Sequence, residues 1–85
     1  MERELRRALA QNLIRLRKER GWTQEHLAED ADLIPTHVQK LEYGVSNATL
    51  KTIAALAAAF GVQPIELFRL RSAGAATPKR ASRSP

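Results

Sequence analysis

The chain has 85 residues, 14 Lys and Arg against 9 Asp and Glu, a formal net charge of +5 and no cysteine. That length supplies one small domain. The lack of cysteine excludes disulfides and thiolate zinc sites, and no apolar run approaches the roughly 18–20 residues of a membrane span. A basic balance favours an anionic partner, of which nucleic acid is the commonest, although Lys79, Arg80 and Arg83 place part of that excess near the C-terminus. The opening stretch MERELRRALAQ alternates charges and has no apolar h-region, so it does not read as a secretory signal and a cytoplasmic location is expected.

Residues 2–20 predict the first helix. Leu5, Leu9, Leu13 and Leu16 recur at spacings of four, four and three, giving one apolar stripe, with Arg6, Arg7, Arg15 and Lys18 on other faces. Ile14 points away from that stripe. Gly21 suits the left-handed stop after the helix. Trp22 is expected to plug the core at the junction with the second helix. Thr23 is an N-cap residue for that helix, and Glu25 sits where the helix dipole favours negative charge.

Pro35 fits the first turn of a third helix, where its missing N–H is not needed, and Gly44 suits the stop after Tyr43. Thr49 caps a fourth helix over 50–60, with Leu50, Ile53, Leu56, Ala57 and Phe60 expected inward. Gly61 closes it. Pro64 opens a fifth helix whose apolar members are Ile65, Leu67 and Phe68. Leu67 and Phe68 are expected in the core, and Leu70 is the better candidate for an interface. Residues 72–85 shift to Ala, Gly, Ser, Pro and basic types, a composition expected to stay disordered. The fold class is thus all-α, five helices over 1–71 and a basic tail over 72–85, with no alternating strand pattern.

The informative stretch is 23–44, TQEHLAEDADLIPTHVQKLEYG. Leu27, Ala28 and Ala31 share one helical face; after Asp32-Leu33-Ile34, Val38 and Leu41 set another. Two short helices joined so briefly cross steeply, as in a helix-turn-helix, and that arrangement presents its second helix to the DNA major groove. With Val38 and Leu41 inward, Thr36, Lys40 and Tyr43 fall on the opposite side, flanked by His37 and Gln39. Lys40 can donate to guanine O6 and N7, His37 to guanine N7 or phosphate, Thr36 can bond a base or touch a thymine methyl, and Gln39 can pair with adenine. The bland alternative for the same face is a solvated polar surface.

From Leu9 to Phe68 the sequence resembles the lambda-repressor-like (Cro/cI, Xre-type) helix-turn-helix family. The resemblance rests on LAQNLIRLRKERGWTQEHLAE, then THVQKLEYG, then NATLKTIAALAAAFGVQPIELF, in that order. It implies a five-helix fold and a homodimer bound to a pseudo-palindromic operator in double-stranded DNA. On the matching positions it implies base contacts from Thr36, His37 and Lys40, with Gln39 beside them. Backbone contacts are expected from Gln24, Tyr43, Ser46 and Asn47, with Pro35 packing on sugar or base and Arg15 reaching a phosphate. It also implies an ion pair of Arg17 with Glu42. Two positions depart from the pattern: Asp32 stands where glycine is usual, and Ile34 where Ser or Thr usually caps the third helix.

No Ser-His-Asp set, paired catalytic carboxylates or Gly-rich phosphate loop stands out, so no enzyme is expected. His26 and His37 lack a third ligand and the spacing of a metal site. No cofactor is expected. A rival from another class is an antitoxin-like or adaptor module that binds a protein partner, with DNA secondary.

Overall fold

The computed structural model describes residues 1–70; the tail expected over 72–85 lies outside the described residues. Among the described residues the elements are α1 (Glu2–Glu19), α2 (Gln24–Asp30), α3 (Pro35–Glu42), α4 (Leu50–Phe60) and a short 3₁₀ segment (Pro64–Phe68). None of the helices is long and apolar enough to cross a membrane.

The local signals act as the residue types require. The Thr23 side chain accepts the His26 N–H at 3.0 Å, and Thr49 accepts that of Thr52 at 3.1 Å, so two helix starts each satisfy an orphan donor. Left-handed residues stop all four helices: Gly21, Asp32, Gly44 and Gly61. After α2 the Leu33 N–H reaches the Ala28 carbonyl at 2.8 Å, and after α3 the Val45 N–H reaches that of Lys40 at 3.2 Å. Each is the six-residue closure of a Schellman cap.

The core is one cluster. Leu9, Leu13 and Leu16 of α1 meet Leu27, Ala28 and Ala31 around α2, Val38 and Leu41 of α3, Leu56, Ala57 and Phe60 of α4, and Leu67. Trp22 packs against this cluster, stacked on Phe60 with ring centroids 5.6 Å apart and on His26 at 4.4 Å. The plug expected at the helix 1–2 junction is therefore in place.

Three apolar side chains sit farther out than their periodicity suggests. Leu5 is 44% exposed on the first turn of α1, beyond most of the core. Leu50 is 85% exposed, because it occupies the first position of α4 and lies off the line of Ile53, Leu56, Ala57 and Phe60. Ile65 is exposed while Leu67 beside it is buried.

The fifth helix expected from Pro64 is not an α-helix but five residues of 3₁₀ turn. Asn12 supplies the reason. Its Nδ2 donates to the carbonyls of Leu67 at 2.9 Å and Arg69 at 2.8 Å, groups that a continuing helix would have used internally. The chain then leaves in extended form at Arg69 (φ −69°, ψ 124°). Asn12 is buried in the middle of an otherwise apolar face, and its Oδ1 accepts from Arg15 at 3.0 Å. A polar residue at that helical position was the available signal for this tether.

Candidate nucleic-acid interface

The geometry begins at the turn between α2 and α3. Asp32 takes φ 57°, which costs most L-residues about 1–2 kcal/mol and Asp less, because its short polar side chain tolerates the region. Ile34 is extended (φ −86°, ψ 149°), as a residue before proline must be. Its side chain offers no cap, so α3 starts with Pro35 at its first position and no side-chain hydrogen bond at its N-terminus.

Val38 and Leu41 fix the roll of α3, both buried against α1 and α2. That roll turns Thr36, Gln39, Lys40 and Tyr43 to solvent along one outward surface, with Pro35 exposed at its beginning. His37 sits at the flank and is half-buried, so only part of its ring reaches that surface. Among the described residues no carboxylate pairs with Lys40, which leaves its ammonium free to donate.

Glu42 locks the far end of α3. Arg17 grips it through two parallel bonds, Nε to Oε2 at 2.7 Å and Nη2 to Oε1 at 3.1 Å. The pair is largely out of water: the Glu42 side chain is 4% exposed and that of Arg17 14%. Arg17 also donates to the Trp22 carbonyl at 2.9 Å, so one guanidinium joins α1, the linker before α2 and α3.

Gln24 lies at the first position of α2, and its Nε2 donates to Glu42 Oε1 at 2.9 Å. Its amide is thereby held beside the end of α3. Ser46 and Asn47 follow α3 in the loop to α4; Asn47 is exposed, and its Oδ1 accepts from Arg6 Nη1 at 3.2 Å. Arg15 is placed elsewhere. It faces the 3₁₀ side of α1, engaged with Glu19 at 3.3 Å and with Asn12, on the flank away from Arg17 and α3. The structure therefore brings Gln24, Tyr43, Ser46 and Asn47 to the ends of α3 and leaves Arg15 apart from them.

Other charged groups serve the scaffold. Arg20 donates to the Leu16 carbonyl at 3.0 Å and the Phe60 carbonyl at 2.8 Å while lying over the Trp22 and Phe60 rings, tying α1 to the end of α4. At the N-terminus the Met1 ammonium, 2.9 Å from Glu4, holds that carboxyl below its ordinary range.

Comparison with known proteins adds the following. Residues 13–67 match the model of a helix-turn-helix family. A sequence described as a hypothetical transcription factor of Neisseria meningitidis serogroup B is 39% identical over 66 residues, 78% of this chain and 62% of that protein. The chain thus spans less than two thirds of that relative's length. A crystal structure of a hypothetical transcription factor from Neisseria superposes with a TM-score of 0.75 at 38% identity, covering 80% of this chain and 76% of that one. The restriction-modification controller protein C.AhdI from Aeromonas hydrophila superposes with a TM-score of 0.71 at 36% identity, covering 74% and 96% respectively.

Proposed function

Since this chain belongs to the lambda-repressor-like helix-turn-helix family, we propose that it is a DNA-binding transcriptional regulator that reads a specific sequence through the outward surface of α3. In this reading α3 enters the major groove and Thr36, Gln39, Lys40 and part of His37 meet base edges. Gln24, Tyr43, Ser46 and Asn47 hold the phosphates on either side, which sets register without reading sequence. The observation that carries the reading is the roll of α3: Val38 and Leu41 buried, Glu42 clamped, and the polar residues between them left facing solvent. The relatives' descriptions as a transcription factor and a restriction-modification controller support the same reading.

The regulator works as a homodimer. A two-fold axis would set the two copies of α3 about 34 Å apart, one turn of duplex, on a pseudo-palindromic site. Support for an interface comes from Leu50, Ile65 and Leu70, exposed apolar side chains at α4 and the 3₁₀ segment. Leu67 is not available to it, being fully enclosed in the core. Work on DNA places the protein in the cytoplasm.

The test is selection of bound sequences from a random duplex pool at near-physiological salt. The expected result is a two-fold motif with half-sites about one turn apart, whose base preference changes in Lys40→Ala and Thr36→Ala at a cost of about 1–3 kcal/mol per lost base contact. Unchanged preference in both variants refutes the assignment of α3 as the reader. Equal-stoichiometry capture of a protein partner with no DNA preference replaces it with the adaptor reading.

A further inference from the structure

A groove runs between the first turns of α1 and the C-terminal end of α3. Arg3, Arg7, Gln11 and Ile14 form one wall, and Tyr43 and Gly44 the other. A Cβ placed on Gly44 would stand 3.9 Å from both the Ala10 side chain and the Arg6 carbonyl, so the chain leaving α3 lies directly against α1 and closes the floor. Ile14, which belongs to no part of the core stripe, is accounted for by this wall.

The charges around the groove are unbalanced. Glu42 reaches its edge, but that carboxylate is spent on Arg17 and Gln24. Glu2 pairs with Arg6 at 2.6 Å and Glu4 with the Met1 ammonium at 2.9 Å. Elsewhere on α1, Arg15 pairs with Glu19, and Arg20 is spent on the Leu16 and Phe60 carbonyls. Arg3 and Arg7 pair with no carboxylate among the described residues, and both are exposed. They stand four residues apart on one helical face, a like-charge pair that destabilises a helix by a few tenths of a kcal/mol until an anion sits between them.

We propose that Arg3 and Arg7, with Tyr43 opposite, form a phosphodiester-binding groove that extends the grip on the duplex beyond the base-reading surface. The inference rests on the DNA-binding reading above. The occupant is the duplex backbone because Tyr43 and the loop that follows are the edge of α3's outward surface, so a strand passing that edge runs into the groove mouth. Guanidinium is the side-chain group best matched to phosphate, offering parallel N–H donors in a planar fork. Contacts of this kind add affinity and salt dependence without base preference.

The experiment compares the full chain with Arg3→Gln/Arg7→Gln, using the duplex recovered from the random pool and a scrambled duplex, across 50–300 mM salt. Glutamine keeps helix propensity, so an unchanged melting temperature verifies the fold. Two lost phosphate contacts should lower the slope of log affinity against log salt by about 2 and weaken binding on the order of tenfold at about 0.1 M. The loss should be equal on both duplexes, and Arg3→Lys/Arg7→Lys should restore most of it. Arg69→Gln, which removes a charge on the far side of α1, should change the slope little. An unchanged slope in the Gln variant overturns the groove and leaves the regulator reading standing; so does a loss confined to the selected duplex, which would report a displaced α3. A wild-type chain that binds neither duplex overturns both.

Discussion

Arg17→Met tests the clamp that sets the angle of α3. The substitution keeps the aliphatic stem but removes both bonds to Glu42 and the bond to the Trp22 carbonyl. Glu42, 4% exposed, is then a buried carboxylate with Gln24 as its remaining side-chain donor. Breaking a buried pair from one side costs about 3–5 kcal/mol, because the surviving charge stays out of water. The Gln24 amide and the slightly wetter Arg17 side place this site at the low end, about 3 kcal/mol. A domain of this size has on the order of 5–10 kcal/mol in total, so urea melts should show a large drop in midpoint with little change in slope. In Arg17→Met/Glu42→Gln the buried charge is gone, and the double variant should be more stable than Arg17→Met alone, a coupling that a double-mutant cycle isolates. A loss below about 1 kcal/mol for Arg17→Met would place the pair among ordinary surface salt bridges and refute the buried-clamp argument.

Three further substitutions probe the scaffold. Ile34→Ser should stabilise the fold by about 0.5–2 kcal/mol in urea, because it supplies the N-cap that α3 lacks while Ile34, 67% exposed, gives up little buried area; no gain would mean the start of α3 has no donor to satisfy. Asn12→Ala should cost about 2–3 kcal/mol, since the Leu67 and Arg69 carbonyls lose their shared donor, and amides around 64–70 should exchange faster than in the parent; unchanged exchange there would show that packing alone holds the 3₁₀ segment. Asp32→Gly should raise the melting temperature by a few degrees, glycine being free at the φ of 57° that this turn requires; a fall would show that the Asp side chain contributes a local bond worth more than the relief.

The sequence by itself determined where the helices begin and end. Thr23, Thr49 and Pro35 mark starts, and Gly21, Asp32, Gly44 and Gly61 mark stops, because caps and left-handed residues act through bonds spanning only a few positions. It also determined which side of α3 faces out, since Val38 and Leu41 leave one rotation that buries both. What tertiary structure decided is how distant groups share partners. Asn12 takes carbonyls 55 and 57 positions away and turns an expected helix into a 3₁₀ segment. Glu42 gathers Arg17 and Gln24, so a residue expected at phosphate is first a hydrogen-bond partner of the clamp. Arg15 falls on the wrong flank, and Arg3 and Arg7 fall beside Tyr43, because the crossing of α1 over α3 assigns faces that periodicity along one helix leaves free. A charge's neighbours depend on packing between helices, and no local pattern records them.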